Sequence, residues 1–139
     1  REIGVRIKFN TVKGVLENRT VVVVDDSIVR GTTSFQLINL LREAKPKSIH
    51  LRISSPPILY PCYYGMDFPS REELIAHRLN GDIEAIRKYV GVDSLEYLTI
   101  PELITILEDD IADNYCTTCF SGVYPTTIDT NFTKDIYEF

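Results

Sequence analysis

An α/β fold built on a parallel sheet is predicted by three features of this 139-residue chain. Val21-Val22-Val23-Val24 is a run of four β-branched residues, apolar on both faces, as a central parallel strand reads. Leu37, Ile38, Leu41 and Ala44 then share one face of a helix. Ser48 to Ile53 (S-I-H-L-R-I) alternates polar and apolar, the pattern of a half-buried strand. Strand, crossover helix and strand compose a βαβ unit, and such a crossover makes the two strands parallel.

The remaining elements follow in order. Residues 1 to 20 mix charges with scattered apolar positions and end in the turn-like cluster Glu17-Asn18-Arg19. Thr33 and Gln36 have capping-box spacing at the start of the first helix, and Lys45-Pro46 closes it. Pro56-Pro57 and Pro61 break regular structure around Cys62. Ser70 and Glu73 form a second capping box in front of Leu74, Ile75 and Leu79. Asp82 to Tyr89 reads as a short helix with Ile83, Ile86 and Val90 on one side. Leu95 to Ile100 is a further strand, and Leu103, Ile104, Leu107 and Ile111 give a last amphipathic helix. No internal repeat or low-complexity segment interrupts this order.

Composition narrows the function. The chain is 44% hydrophobic and 25% charged, with a net charge of −5, which suits a globular domain and not a nucleic-acid-binding surface. No apolar run approaches the roughly 20 residues that cross a bilayer. The chain opens on Arg1 in mid-pattern, as a fragment of a longer protein would. Three cysteines suit ligands in a reducing, cytoplasmic setting better than paired disulfides.

The most specific stretch is Val21 to Ser34, V-V-V-V-D-D-S-I-V-R-G-T-T-S. In an open α/β sheet, ligands bind outside the carboxyl ends of the strands, where Asp25 and Asp26 fall. The loop after them runs into a helix N-terminus, whose free amides and dipole favour an anion. Gly31 lets the backbone come close, and Thr32, Thr33 and Ser34 add hydroxyl donors. Two carboxylates beside an anion cradle make sense if they accept bonds from ribose hydroxyls, or hold Mg²⁺ directly or through its water. Neither a P-loop nor a G-x-G-x-x-G string occurs.

This string closely resembles the phosphoribosylpyrophosphate motif of type I phosphoribosyltransferases, and D-D-S-I-V-R-G-T-T-S resembles the amidophosphoribosyltransferase version of it. The resemblance extends through Val5 to Asn10, Ile53 to Pro57, Tyr60 to Asp67 and Arg71 to Ala76, and so covers nearly the whole chain. It implies the three-layer type I phosphoribosyltransferase fold, present only in its C-terminal half. Residues 1–100 would be that half-domain and 101–139 a C-terminal helix and cysteine-bearing tail, with the N-terminal glutaminase domain absent. It implies that Asp25 and Asp26 are catalytic and engage ribose and Mg²⁺. Ser27, Val29, Arg30, Gly31, Thr32, Thr33 and Ser34 would hold the substrate, with Val29 to Thr33 around the 5-phosphate. Arg30 either adds charge there or lies outward as a solvated side chain.

Cys62, Cys116 and Cys119 form the second constellation. A lone C-x-x-C is open to zinc, redox or iron–sulfur readings. His50 and His77 have no partner spacing for zinc and read as ordinary packing or surface residues. Tyr60-Pro61-Cys62-Tyr63 and the stretch from Cys116 to Thr126 resemble the iron–sulfur branch of the amidophosphoribosyltransferases. That resemblance makes the three cysteines thiolate ligands of a 4Fe-4S cluster whose fourth ligand lies upstream.

The activity so implied joins ammonia to phosphoribosylpyrophosphate, giving 5-phosphoribosylamine and pyrophosphate in the first step of purine synthesis. The ammonia would come from glutamine, purine nucleotides would be feedback ligands, and the full-length protein would be a cytoplasmic homo-oligomer. The fragment alone would be inactive. Two alternatives are a non-catalytic phosphoribosylpyrophosphate sensor and a type I transferase that uses a nucleobase.

Overall fold

The computed structural model describes residues 13–66, 70–106 and 115–128. In chain order they form α1 (Lys13–Leu16), β1 (Thr20–Asp25), α2 (Thr32–Glu43), β2 (Ser48–Ile53) and a 3₁₀ turn (Arg71–Glu73). These are followed by α3 (Ile75–Arg78), α4 (Ile83–Val90), β3 (Ser94–Tyr97), α5 (Ile100–Ile106) and α6 (Thr118–Ser121). The strands make one parallel sheet in the order β1-β2-β3. Its register sets Asp25 beside Ile53 and Ile53 beside Tyr97, so the three carboxyl ends lie along one edge.

The hydrophobic pattern explains the packing. Ile49, Leu51 and Ile53 alternate along β2 and are nearly fully buried. Ile38 and Leu41 of α2 and Ile86 and Val90 of α4 join them in one core with Leu95. Fully burying one such side chain stabilises the fold by about 1.5–3 kcal/mol. Ile28 is 1% exposed and pins the loop after β1 into this core.

β1 departs from the central, doubly buried strand that its sequence predicts. Among the described residues it is the edge of the sheet, and Val22 and Val24 are 61% and 72% exposed. Thr20, Val22 and Val24 share their face with Ser48, His50 and Arg52, across the register from them. That face is polar, with His50 Nδ1 and Arg52 Nη1 both bonded to Ser94 Oγ and Arg52 paired with Glu96. His50 is therefore a strand residue tied to serines, and His77 lies on α3, as expected of both.

Boundaries differ in instructive places. The Thr33–Gln36 capping box does not form, because α2 starts earlier, at Gly31, which takes a left-handed conformation and caps without a side chain. The Ser70–Glu73 box is present, but it caps the 3₁₀ turn. Asp82 caps α4 by accepting from the Ala85 amide. β3 is shorter than predicted, since Ile100 already opens α5, where Thr99 and Glu102 bond each other. Leu107 and Ile111, predicted on that last helix, lie outside the described residues, as do Val5 to Asn10 and Asp67.

Candidate anion site and thiol cluster

β1 delivers Asp25 and Asp26 to the edge of the sheet, and the loop from Ser27 to Gly31 carries the chain into α2. A concave site of about 460 Å³ opens there, lined by Asp25, Asp26, Ser27, Val29, Arg30, Gly31, Thr32, Thr33 and Ser34. These nine are the residues that the sequence assigns to substrate.

Each wall has a local cause. The first intrahelical bond of α2 runs from the Phe35 amide to the Gly31 carbonyl at 2.9 Å. The amides of Gly31 to Ser34 precede that bond and are the unpaired donors of a helix start. Together with the dipole of a 12-residue helix they favour an anion. The acidic side is ordered by short-range bonds: the Asp26 amide donates to Asp25 Oδ1 and Ser27 Oγ donates to Asp26 Oδ1, both at 3.0 Å. From β2, the Ser54 amide donates to the Asp25 carbonyl at 3.0 Å. Oxygen donors of this kind suit a hard divalent cation such as Mg²⁺.

Gly31 is required by its surroundings. Its φ of +78° is one that L side chains rarely adopt, and a Cβ there would stand 2.6 Å from Ile75 Cδ1 and 3.0 Å from the Tyr89 ring. Ile75 is fully buried and has nowhere to retreat. Gly31→Ala is therefore expected to cost about 2 kcal/mol through overpacking and backbone strain. A thermal unfolding scan of the full-length protein checks this, and an unchanged midpoint contradicts it.

Arg30 settles at the rim. Its guanidinium meets Glu73 at 3.0 Å, with the two side chains 55% and 47% exposed. The Ile75 amide also donates to the Val29 carbonyl at 2.9 Å. Glu73, Ile75, Tyr89 and Ser54 do not line the site but brace the strand end and loop that form it, and the sequence alone does not show those contacts. The Ser70-x-x-Glu73 spacing predicts a cap there, but nothing in it predicts contact with a loop some forty residues earlier.

The thiols are brought together as well. The Leu59 and Tyr60 amides both donate to the Cys119 carbonyl at 3.0 Å. The Tyr124 hydroxyl donates to the Pro61 carbonyl, and Tyr64 bonds Thr126. These bonds dock the cysteine turn onto the loop that holds Cys62, whose sulfur accepts the Tyr64 amide at 3.4 Å. Burial pushes the Cys119 thiol up to about 11, with smaller contributions from nearby Cys62 and Cys116. Cys116 is lowered instead, because its sulfur is bonded by the Thr118 hydroxyl and amide. No three His, Cys, Asp or Glu side chains among the described residues are placed to hold a single metal ion. The docked tail thus sets the Cys119 thiol near those of Cys62 and Cys116.

A parallel sheet with an anion cradle and two carboxylates at its carboxyl edge defines a domain of the type I phosphoribosyltransferase fold. The comparisons agree. Glutamine phosphoribosylpyrophosphate amidotransferase from Bacillus subtilis, solved in complex with ADP and GMP, superposes with a TM-score of 0.78. It is 45% identical, over 88% of this chain and 27% of that one. An amidophosphoribosyltransferase of Vigna aconitifolia, named as chloroplastic, is 56% identical over 125 residues, 90% of this chain and 25% of its own. That of Bacillus subtilis strain 168 is 47% identical over 131 residues, 92% and 27% of the two chains. No protein-family model matches. Over about nine-tenths of its length the chain is similar to amidophosphoribosyltransferases, and it spans about a quarter of the length of the relatives it matches. No described helix is long and apolar enough to cross a membrane.

Proposed function

We propose that the protein carrying this chain joins ammonia to phosphoribosylpyrophosphate, forming 5-phosphoribosylamine and pyrophosphate at the start of purine synthesis. The observation that carries this reading is the convergence of Asp25 and Asp26 with the amides of Gly31 to Ser34 around one site. The 5-phosphate sits against the start of α2, held by those amides and by Thr32, Thr33 and Ser34. The catalytic pair, Asp25 and Asp26, accepts bonds from the ribose hydroxyls and faces the positive charge that develops on the ring as pyrophosphate departs. The same carboxylates would hold Mg²⁺, which would supply positive charge against the leaving pyrophosphate. Arg30 adds its charge from the rim. No side chain of this chain acts as a nucleophile.

The ammonia comes from glutamine, hydrolysed in a part of the protein outside this chain, and purine nucleotides act as feedback ligands. The neighbour's ADP and GMP support the latter. Residues 1–100 then form the C-terminal half of the transferase domain and 101–139 its helix and tail. Cys62, Cys116 and Cys119 supply three ligands of a 4Fe-4S cluster, the fourth coming from elsewhere in the protein. The docking of the tail onto the Cys62 loop, which sets Cys119 near Cys62 and Cys116, supports this. Such thiols imply a reducing compartment.

The acceptor is tested directly. Full-length protein given Mg²⁺, phosphoribosylpyrophosphate and free ammonia is expected to release pyrophosphate without any nucleobase. Release that required adenine, hypoxanthine, uracil or orotate would make it a base-using transferase, and binding without any release would make it a sensor.

A further inference from the structure

One short stretch, Glu73 to Ile75, holds three successive residues of the anion loop. The Ile75 amide bonds the Val29 carbonyl at 2.9 Å, Glu73 pairs with Arg30 at 3.0 Å, and the Ile75 side chain fills the space beside Gly31. Glu73 itself does not line the site. We infer that Glu73 is a positioning residue for phosphoribosylpyrophosphate: it fixes Arg30 and the loop around it in the form that receives the phosphate. This deepens the function proposed above and rests on it.

The anchor is a firm one. Glu73 Oε1 meets Arg30 while Oε2 accepts the Ser70 amide at 3.3 Å, so both carboxylate oxygens are committed. The turn that carries Glu73 is fixed at its other end, where the Arg71 guanidinium lies 5.3 Å over the Tyr60 ring. Behind it, Leu74 and Ile75 are fully buried. A flexible arginine at the same place would lose rotamer freedom on meeting the ligand, and holding it beforehand removes that loss from the binding step.

Energetics separate this role from a merely structural one. Both side chains are about half exposed, and pairs of that kind contribute little to stability. Losing the pair should barely move the unfolding midpoint, whereas a loss of the same size in binding is readable as a change in KM. The carboxylate also makes little sense alone beside a phosphate site, since unpaired it would repel the anion.

Full-length Glu73→Gln, which keeps the shape and the Ser70 bond, is expected to raise KM for Mg²⁺-phosphoribosylpyrophosphate by about threefold to fivefold. Its kcat should stay within about twofold and its unfolding midpoint should not change. Arg30→Gln should raise KM further, and the double variant should be no worse than Arg30→Gln alone, because Glu73 acts through Arg30. An unchanged or lowered KM in Glu73→Gln overturns the assignment, and so do additive effects in the double variant. A wild-type protein that fails to turn over phosphoribosylpyrophosphate overturns the proposed function and this inference with it. A normal wild type beside an unaffected Glu73→Gln overturns the inference alone.

Discussion

Asp25→Asn combined with Asp26→Asn is expected to lower phosphoribosylamine formation by the full-length protein by about three orders of magnitude, roughly 4 kcal/mol of transition-state stabilisation. The substitution removes charge and little else. Asp25 Oδ1 accepts the Asp26 amide and Asp26 Oδ1 accepts the Ser27 hydroxyl, and an Asn oxygen can accept both. The bond from the Ser54 amide goes to the Asp25 backbone carbonyl, so it also survives. The loop should keep its shape while losing its negative field and the carboxylates proposed to hold Mg²⁺. Because the deficit arises where ring charge develops, kcat should fall more than KM rises. Glutamine hydrolysis, which the proposed function puts outside this chain, should stay at its basal rate. A double variant that forms phosphoribosylamine normally would end the assignment of these carboxylates.

The site was legible in the sequence to a degree that its surroundings were not, and the difference is physical. Val21 to Ser34 is contiguous, so one string contains strand, carboxylates, loop and helix start, and all nine assigned residues line one site. β2 was legible to the residue because its alternation is strict and buried on one side. β1 reads as doubly buried, yet among the described residues one face is open, because four valines fix a propensity and not a neighbour. Whether Val22 and Val24 meet protein or water depends on what covers that face, and nothing described does. The start of α2 was set by the backbone freedom of Gly31 and not by the hydroxyl of Thr33, so a cap pattern pointed to the wrong residue. Glu73 and Tyr89 reach the loop only because α3 and α4 pack against α2's end, a tertiary outcome with no local pattern.

The iron–sulfur site proposed above yields the other large effect. Cys119→Ser in full-length, anaerobically purified protein is expected to abolish most bound iron, against about four irons per chain and a brown colour in the wild type. The geometry makes the experiment clean. The tail is docked through the Cys119 carbonyl, which accepts the Leu59 and Tyr60 amides, and through the Tyr124 hydroxyl on Pro61. None of these bonds uses the Cys119 sulfur, so serine leaves them in place and removes a soft ligand. Cys62→Ser should behave alike, although Cys62 lies more than fifty residues away, because the docked tail brings Cys119 near it. Metal ligation favours only the assembled arrangement, so loss of iron should also lower the temperature at which the tail detaches. Gly122 gives an independent handle, since a Cβ there would meet the Tyr60 ring at 2.7 Å and push the tail from its seat. Gly122→Ala should therefore lose iron while keeping all three cysteines. Colourless wild-type protein carrying one zinc per chain would refute the cluster. The transferase assignment would stand even so, because it rests on Val21 to Ser34 and the site they line.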